Sequence, residues 1–482
     1  MNQYWWLFGV ARVPEDDGGR IRLDADATHI VVLCRGQIYR VDVIETGSNH
    51  IIDEHALSEC LQNIVSDAQD NSGEKPLGLL TTENQMVWSR CRKTLVNEGL
   101  KNGKNFSVID SSLFALCLDH AAPRTDAEIC KNMICGTNVV EKGLQIGTCL
   151  NRWYDKLAII VCENGAAGMN FEHTCSDGSV DISLACGIYE GSISRLQQPA
   201  MNGDTSSADS VLPLQSGLDK PCFHSSSMQK LEWDVSPQIE EALHLAQQRL
   251  INRIDRHQLE TLNFRDYGAT FIKSVGFSPD AFFQMTLQAA YYSAYKQIRS
   301  GFEPVVIRQF LHGRTDVVRS TTSEAVAFAK LYADEKATAG EKIEAMRRAT
   351  EAHVALSKNC AKGYSHHRHL YVLQQMWKRR RAFMEANKLG PIDDKPTIFT
   401  DPGWSRLGTT ILMGSNVDNP CLAYAGFGPA ADEGFTVVYA IRKDHIALSV
   451  TTRNGEAERF IEAIERTFGD LKKMLQARTE LE

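Results

Sequence analysis

The stretch NRWYDKLAIIVCENGAAGMNFEHTCSDG, residues 151–178, predicts a β-hairpin that is followed directly by a histidine. Leu157 to Cys162 is an apolar run of strand type, and Asn164-Gly165 is a dipeptide that favours a tight hairpin turn. A return strand begins at Met169 and runs to Phe171. We therefore predict a β-hairpin whose second strand leads into the Glu-His pair that follows it.

His173 is the candidate catalytic residue of this segment. An imidazole changes charge near neutral pH, so it can serve as a general base. Asp177 follows four residues later and can fold back to hydrogen-bond one ring nitrogen. That bond would fix the tautomer and leave the other nitrogen to accept a proton. Taken alone, a single histidine in a strand is more often a structural residue than a base.

Length and composition limit the class of protein. A chain of 482 residues is too long for one core and favours two domains, which we place at 1–228 and 229–482. Hydrophobic residues make up 43% and charged residues 23%, as in an ordinary globular protein. The formal charge of −8 argues against nucleic acid as a partner, because a phosphate-binding surface needs clustered cations.

Cysteine usage and hydropathy also carry information. The 13 cysteines are dispersed and show no Cys-x-x-Cys pair, which favours a reducing compartment over a disulfide framework or a zinc site. No run of about 18 apolar residues is present, so we predict no transmembrane helix. No targeting motif fixes the location.

Local patterns predict a mixed α and β chain that becomes strongly helical after a Pro-, Gly- and Ser-rich segment at 197–221. Strands are predicted at 28–33, 37–44, 77–80, 157–162, 437–440 and 445–450, and helices within 3–8 and at 84–97, 323–334, 340–361, 368–388 and 455–477. Ser236-Pro237 and Ser278-Pro279 each predict a helix start, because proline suits the first helical position.

The segment at 151–178 resembles the second signature of the choline/carnitine O-acyltransferases. Ten constrained positions fall in register: Arg152, Trp153, Asp155, Lys156, Asn164, Gly165, Glu172, His173, Asp177 and Gly178. The resemblance extends from about Tyr4 to Leu475, and the family's Pro-rich N-terminal portion has no counterpart in the chain. The overall pattern is most similar to that of the medium- and long-chain carnitine acyltransferases.

The resemblance implies a fold and a reaction. The fold would be α/β, with two domains that each hold a mixed β-sheet flanked by helices, as in chloramphenicol acetyltransferase, and an active-site tunnel between them. The reaction would be reversible acyl transfer between CoA and carnitine, with His173 as general base and no acyl-enzyme intermediate. CoA and carnitine would be substrates, no separate cofactor would be needed, and the protein would be a monomer.

Carnitine-side residues follow from three blocks of the same resemblance. Thr315 in Gly-Arg-Thr-Asp would help to hold the carnitine carboxylate, and Arg368 would pair with it. A planar guanidinium can donate two charge-assisted hydrogen bonds to a carboxylate. Thr409 and Thr410 stand where the family has hydroxyls facing carnitine and the developing oxyanion, while Gly408 and Ile411 replace polar residues of that motif.

Two aromatic positions complete the carnitine side. Phe302 stands where the family has a tyrosine whose hydroxyl assists carnitine, so that hydroxyl is missing here. Phe427 begins the block Phe-Gly-Pro-Ala-Ala-Asp-Glu-Gly, which also resembles the family. Ala425 and Gly426 precede it, where short-chain members place a bulky methionine, so the acyl tunnel would stay open to chains of eight carbons or more. The alternative is that these two small residues end a strand.

On the CoA side, Lys273 matches a lysine that meets the CoA 3′-phosphate, and Asp280 and Glu303 match other CoA-side positions. A second family lysine is replaced by Ala269, which predicts weaker CoA binding. Without the family, Ser278 and Asp280 are fully explained as helix-capping residues.

Three alternatives remain open. His366, His367 and His369 can be considered as a metal cluster, but adjacent histidines on a helix point in different directions, so we predict no metal site. Cys162 or Cys175 can be considered as a thiol nucleophile paired with His173. Finally, the departures at 269, 302, 408 and 411 suit a catalytically impaired homologue that binds acyl-CoA or a partner protein.

Overall fold

The structure is a computed structural model that describes residues 5–45, 47, 50–70, 75–197, 227–390 and 394–479. The chain divides into two compact units, each of which is considered by itself. Unit 1 comprises Met1–Pro123 and Gly136–Leu250, and unit 2 comprises Arg124–Cys135 and Ile251–Glu482. The domain limits predicted from the sequence, 1–228 and 229–482, stay a prediction.

Unit 1 is built on a six-stranded mixed sheet with the strand order β10-β4-β3-β5-β8-β9. The strands of unit 1 are β1 Val10–Glu15, β2 Gly18–Leu23, β3 His29–Cys34, β4 Gln37–Asp42, β5 Ala115–Asp119, β6 Val140–Glu141, β7 Leu144–Gln145, β8 Ala158–Cys162, β9 Ala167–Asn170 and β10 Met228–Lys230. Of these, β1 pairs with β2 and β6 pairs with β7 in two small sheets of their own. Its helices are α1 Glu54–Asp70, α2 Gln85–Glu98, α3 Leu100–Ser111, α5 Gly178–Gln197 and most of α6 Pro237–Arg256. The parallel neighbours β3, β5 and β8 form the centre of the sheet.

Unit 2 contains a second six-stranded mixed sheet, with the order β11-β16-β15-β14-β12-β13. Its strands are β11 Gln258–Phe264, β12 Gly301–Val306, β13 Thr315–Val318, β14 Leu412–Asn416, β15 Phe435–Ile441 and β16 Ile446–Thr452. Its helices are α4 Asp126–Cys135, α7 Ala269–Ser274, α8 Pro279–Tyr295, α9 Ser323–Tyr332, α10 Ala339–Ala361, α11 His367–Ala386, α12 Pro402–Gly408 and α13 Ala457–Thr479. The fold class predicted from the sequence, α/β with two mixed sheets flanked by helices, is thus confirmed.

The core of unit 2 explains why its central strands have no solvent-exposed face. β15 and β16 are buried at every position, with helices α8 and α13 packed against one face. Phe283 of α8 stacks on Tyr439 of β15 with ring centroids 3.7 Å apart. Helix α8 is buried from Ala281 to Tyr291, as expected for a helix that crosses the middle of a core.

Most of the predicted elements are confirmed. The hairpin of β3 and β4 turns at Arg35 and Gly36, with φ of 49° and 80°, and the hairpin of β8 and β9 turns at Gly165, with φ of 82°. Both turns need left-handed backbone, which glycine adopts without a steric cost. Helices α2, α6 and α8 to α11, the helix α13 and the strands β15 and β16 lie where they are predicted, within a few residues.

Some predictions fail or lie outside the described residues. The strand predicted at 77–80 is wrong, because Leu77–Thr82 forms a 3₁₀ helix that buries Leu77, Leu79 and Leu80. A short apolar run does not distinguish a strand from a buried helical turn. The loop predicted at 197–221 and the start of the helix predicted within 3–8 lie mostly outside the described residues. Within the described ranges, no helix combines the length and the apolar composition that crossing a bilayer requires.

Candidate active site

His173 lies in a turn between strand β9 and helix α5 of unit 1. The return strand ends at Asn170, so the histidine follows the strand instead of belonging to it. Its side chain is 67% exposed, which leaves the ring accessible within this unit. The ring of Phe171 meets it edge-on, with centroids 6.4 Å apart. Of the two cysteines considered as nucleophiles, Cys162 is buried in β8, and Cys175 lies in the turn itself.

The hydrogen bond of His173 defines its tautomer. Nδ1 lies 2.7 Å from the carbonyl oxygen of Ser176. A carbonyl oxygen can only accept, so Nδ1 carries the hydrogen, and in the neutral ring the lone pair is on Nε2. Asp177, the predicted orienting residue, has its Oδ1 3.8 Å from Nδ1, which is ion-pair range but too long for a hydrogen bond. The backbone carbonyl therefore takes the orienting role that we predicted for Asp177.

A second carboxylate supports this turn and was missed by the sequence analysis. Ser176 Oγ donates to Asp181 Oδ2 at 3.0 Å, and both residues are buried. Burial raises the pKa of Asp181 to about 6. Asp181 is the acidic residue of the first turn of α5, and its four-residue spacing from Asp177 is the signal that could have identified it.

The charged residues of this segment before the hairpin form buried structural contacts. Arg152 and Asp119 form a fully buried pair with Nη1–Oδ1 and Nη2–Oδ2 distances of 2.9 and 2.8 Å. Lys156 donates to the carbonyl oxygens of Val10 and Asp110, and burial lowers its pKa to about 7. These contacts tie the loop before β8 to the rest of unit 1.

Asp155, another residue of the resemblance, forms a similar buried network. It accepts hydrogen bonds from Arg12 at 2.7 and 2.9 Å and from Trp88 Nε1 at 2.6 Å. Arg12 also lies 3.9 Å from Glu172, the residue before the candidate base. The buried motif residues thus stabilise the segment that leads to the turn, and His173 is the exposed residue of the motif that can act as a base.

In unit 2, the predicted carnitine-side residues meet a cation that the sequence analysis did not select. Arg319 Nη1 donates to Thr410 Oγ1 at 3.2 Å and to Ser300 Oγ at 3.3 Å. Its guanidinium carbon lies 5.4 Å from the centroid of the Phe302 ring. Nη2 lies 2.5 Å from His367 Nε2, which must be the acceptor because a guanidinium only donates.

The electrostatics of Arg319 suit an anion. Among the described residues, no carboxylate lies within 4.0 Å of its guanidinium. Burial, followed by the charge of nearby Arg368, lowers its pKa to about 10. Burial and the charges of Arg319 and Arg368 lower the pKa of His367 to about 4, so that ring is neutral at pH 7. Arg319 stands four residues after Thr315 in the same sequence block, which is the signal that could have identified it.

The other carnitine-side residues occupy more exposed positions of unit 2. Arg368 is exposed in the first turn of α11, and Thr315 is half-buried at the start of β13. Thr409 is exposed and its hydroxyl donates to the Ser405 carbonyl at 3.1 Å, whereas Thr410 is buried. Ile411 is buried in the apolar core, so it supplies no polar group to this site.

The predicted CoA-side residues separate into two places. Lys273 is exposed in the last turn of α7. Asp280 and Glu303 instead meet at the hydroxyl of Tyr439, which donates to Asp280 Oδ1 at 2.9 Å and lies 3.3 Å from Glu303 Oε1. The capping interpretation of Ser278 is not supported, because this N-cap residue makes no side-chain cap hydrogen bond.

His353 of α10 completes this group, which we call the carboxylate cluster: Asp280, Glu303, His353 and Tyr439. His353 Nε2 lies 2.9 Å from Glu303 Oε2 and 3.9 Å from Asp280 Oδ2. Burial raises the pKa of Glu303 to about 7. Among the described residues, Asp280, Glu303 and His353 form the one group whose ligand atoms are close enough together to hold a metal ion, so the three histidines at 366, 367 and 369 do not.

Strand β12 separates the two groups of unit 2. Phe302 and Glu303 are consecutive residues, so their side chains point to opposite faces of the sheet. Phe302 faces Arg319, whereas Glu303 faces His353 and the helix layer. The carnitine-side group and the carboxylate cluster therefore lie on opposite sides of one strand.

The predicted acyl-tunnel residues run alongside β16 as irregular backbone. Ser449 Oγ donates to the Ala425 carbonyl and Thr451 Oγ1 donates to the Phe427 carbonyl, both at 2.6 Å. No strand ends at Ala425 and Gly426, so the alternative interpretation of these residues is wrong. A Cβ on Gly426 would lie 3.0 Å from Ile134 Cδ1 of α4, the flexible tip of an apolar side chain.

Comparison with known proteins decides the family. The family model described as Choline/Carnitine o-acyltransferase matches residues 1–466, which is nearly the whole chain. The chain belongs to the choline/carnitine O-acyltransferase family. Among relatives of this acyltransferase, a putative mitochondrial carnitine O-acetyltransferase of Saccharomyces cerevisiae is 35% identical over 500 residues, covering 99% of this chain and 72% of the relative.

Two further relatives of this acyltransferase carry different substrate names. Carnitine O-palmitoyltransferase 2, mitochondrial, of Rattus norvegicus is 27% identical, covering 99% of this chain and 67% of the relative. Carnitine O-acetyltransferase of Mus musculus is 28% identical, covering 99% and 72%. Among solved structures, a wax ester synthase/diacylglycerol acyltransferase from Marinobacter aquaeolei VT8 matches 67% of this chain and 74% of its own, at a TM-score of 0.32 and 12% identity. That similarity is too low to carry a functional inference.

Proposed function

We propose that this protein transfers acyl groups reversibly between CoA and carnitine, with His173 as the general base. The observation that carries the proposal is the hydrogen bond from His173 Nδ1 to the Ser176 carbonyl, which puts the lone pair of the neutral ring on Nε2. Family membership and the names of the relatives support the choice of CoA and carnitine as substrates.

The reaction needs one base and no covalent enzyme intermediate. Nε2 takes the proton of the carnitine hydroxyl while its oxygen attacks the thioester carbonyl carbon, which forms the C–O bond and a tetrahedral oxyanion. Collapse of the oxyanion breaks the C–S bond, and the departing CoA sulfur takes the proton back from Nε2. In the reverse direction the histidine deprotonates the CoA thiol. A base of this kind contributes ~10²–10⁴-fold to the rate.

The contacts around His173 suit both states of the ring. The Ser176 carbonyl accepts from Nδ1–H in the neutral and the charged forms, so the ring keeps its orientation throughout. When Nε2 is protonated, the carboxylate of Asp177, 3.8 Å from Nδ1, stabilises the positive charge. Asp177 thus acts through electrostatics, and the backbone supplies the orientation.

For the carnitine carboxylate, we assign Arg319 together with the predicted residues Thr315, Arg368, Thr409 and Thr410. Arg319 is half-buried, contacts Thr410 and has no carboxylate partner among the described residues. A hydrogen bond from a guanidinium to a carboxylate is worth ~1.5–3 kcal/mol. The ring of Phe302, which lacks the hydroxyl of the family's tyrosine, lies beside this cation.

For the acyl group, we propose a preference for chains of eight carbons or more. The support is the small size of Ala425 and Gly426, since each buried methylene contributes about 0.8 kcal/mol where space allows. The names of the relatives include both acetyl- and palmitoyltransferases, so they favour neither length. Lys273, Asp280 and Glu303 remain the proposed CoA-side residues.

The test is acyl exchange between CoA and acylcarnitines of two to sixteen carbons. We expect His173→Ala to lower kcat by roughly 10²–10⁴-fold, because the base is lost. The matched control is His55→Ala, which removes an exposed histidine of α1 and should leave the rate unchanged. Equal rates for both variants would refute the assignment of the base, and a maximum at two carbons would refute the length preference alone.

A second candidate function is that of a catalytically impaired homologue that binds acyl-CoA or a partner protein. The observation that favours it is Ile411, a buried apolar residue where the family motif has a polar one. In that case neither the wild-type protein nor the His173→Ala variant would show exchange, while folded protein would still bind acyl-CoA.

A further inference from the structure

The carboxylate cluster has the composition of a metal site. It gathers ligand atoms from three elements of unit 2: a carboxylate oxygen of Asp280 at the start of α8, one of Glu303 in β12, and a ring nitrogen of His353 in α10. These atoms all lie within 4.8 Å of one another. Two carboxylates and one imidazole form a donor set that divalent transition metals accept.

Apart from His353, the described residues place no cationic side chain beside the two carboxylates of this cluster. Within the described part of the chain, neither Asp280 nor Glu303 has a lysine or arginine within 4.0 Å. Glu303 is 4% exposed and His353 is 1% exposed, so water does not solvate them. Glu303 is buried and Asp280 is partly exposed, and two neighbouring carboxylates repel one another unless a proton or a cation lies between them.

Two of the three ligand residues, Glu303 and His353, have buried polar atoms without a hydrogen-bond partner. Glu303 Oε2 and both ring nitrogens of His353 are buried and lack hydrogen-bond partners. Although Oε2 and Nε2 are 2.9 Å apart, the contact is not aligned as a hydrogen bond. Two nearly fully buried side chains thus direct unpartnered polar atoms into the same small volume, which is the second observation that points to a ligand.

The spacing and the surrounding contacts suit an ion. Metal–ligand distances of ~2.1 Å place neighbouring ligand atoms roughly 3 to 3.4 Å apart. Nε2 lies 2.9 Å from Glu303 Oε2 and 3.9 Å from Asp280 Oδ2, and the three ligand atoms all lie within 4.8 Å of one another. Side-chain shifts of about 1 Å would bring them to the spacing that a common ion requires. Tyr439 and Asn416 hold the other oxygen of Asp280 through hydrogen bonds of 2.9 and 2.8 Å, which leaves Oδ2 directed at the cluster.

We propose that Asp280, Glu303 and His353 bind a divalent transition-metal ion, of the Mn²⁺ or Zn²⁺ class. The ion would enter from the side of Asp280, whose side chain is 36% exposed. It would link α8, β12 and α10, and so would stabilise the helix layer on the face of the sheet opposite Arg319. Asp280 and Glu303 are also proposed CoA-side residues, so the test measures metal binding in the absence of CoA and carnitine, where its outcome does not depend on acyl transfer.

The test is titration of the full chain with MnCl₂, with unbound Mn²⁺ measured by electron paramagnetic resonance. Mn²⁺ is the appropriate probe because thiolates prefer softer metals, and the chain holds 13 cysteines that would bind Zn²⁺. We expect one Mn²⁺ site per chain and a rise in melting temperature with MnCl₂. Excess Zn²⁺ should release the bound Mn²⁺.

Three variants decide whether the cluster is the site. Glu303→Gln and His353→Gln should weaken Mn²⁺ binding at least tenfold and abolish the thermal shift. Asp280→Asn, a conservative change at the partly exposed ligand, provides the same test if the buried variants do not fold. His445→Gln is the control, because His445 pairs with Asp444 at 2.7 Å outside the cluster, and it should bind Mn²⁺ like the wild type. Absence of binding to the wild type, or equal binding in Asp280→Asn, would overturn the proposal.

Discussion

Asp181 is the buried carboxyl group that supports the turn of His173, and its ionisation should make stability depend on pH. Its pKa is raised from 3.8 to about 6 by burial, so the folded protein binds this proton more tightly than the unfolded chain. The stabilising contribution is complete below about pH 4 and is lost as pH rises through about 6. Asp181→Asn keeps an oxygen acceptor for Ser176 and removes the charge.

We therefore expect Asp181→Asn to melt at a higher temperature than the wild type at pH 7.5 and to lose this advantage near pH 4. A rise of the Asp181 pKa from 3.8 to about 6 corresponds to a difference of at most ~3 kcal/mol in the free energy of unfolding. The measurement is thermal unfolding across pH 4 to 8. Asp17→Asn, at an exposed position, serves as the control and should show no such trend. A difference that does not change with pH would contradict the role of the Asp181 charge.

Arg319 leads to a kinetic prediction at the same scale. Arg319→Gln removes the half-buried cation beside Thr410 and Phe302, so the carnitine carboxylate would lose a charge-assisted hydrogen bond. We expect KM for carnitine to rise roughly 10- to 100-fold, with KM for CoA unchanged. Arg308→Gln, at an exposed position of the same unit, is the control. If Arg368→Gln alone reproduced the whole effect and Arg319→Gln had none, Arg319 would not contact carnitine.

At the scale of elements, the β8–β9 hairpin depends on Gly165. Its φ of 82° is left-handed, and no other atom lies within 4 Å of the position where a Cβ would stand. Gly165→Ala therefore causes no clash with neighbours. It should lower the free energy of unfolding by ~1–2 kcal/mol through backbone strain alone. We expect a lower melting temperature and, because the hairpin positions the following turn, a reduced rate of acyl exchange.

A glycine in the next element offers a control of opposite sign. Gly187 lies exposed in helix α5, where alanine also meets no neighbour within 4 Å. Gly187→Ala should stabilise the protein by ~0.5–1 kcal/mol, because glycine weakens a helix interior. Equal effects of the two substitutions would show that the φ of Gly165 is not the cause.

At the scale of the whole molecule, the two units do not correspond to two continuous halves of the chain. Helix α4, residues 126–135, lies in sequence between two parts of unit 1 but packs in unit 2 against β11. Its Ile134 also approaches Gly426, beside the predicted acyl tunnel. A fragment cut at the predicted domain limit, 229–482, therefore lacks one of the helices that cover its sheet.

We expect the fragment 229–482 to expose apolar surface where α4 is missing. It should bind a hydrophobic dye and melt broadly, whereas the full chain should show a sharp transition. Adding a segment that contains residues 124–135 to the fragment should reduce the dye binding. A fragment that unfolds as sharply as the full chain without this segment would show that α4 is dispensable for unit 2.

Much of the architecture follows from local sequence patterns. The hairpin at 157–170 is predicted because strand-forming residues flank Asn-Gly, and helices α6 and α8 are predicted because Ser-Pro suits a helix start. The 3₁₀ helix at Leu77–Thr82 was not predictable, because four apolar residues have no period long enough to distinguish the two states. Whether such a short apolar run forms a strand or a helical turn depends on how it is buried in the tertiary structure.

The candidate site divides in the same way. The sequence by itself determined the family, because its motifs lie within short stretches, and that resemblance implied the α/β fold with two mixed sheets and selected His173 as the candidate base. Only the tertiary structure decided that Ser176 orients the histidine, that Arg319 lies beside Thr410, and that His353 meets Asp280 and Glu303. Each of the last two contacts joins elements far apart in the chain. Distances of this kind are set by how strands and helices pack, which periodicity and spacing along the sequence do not encode.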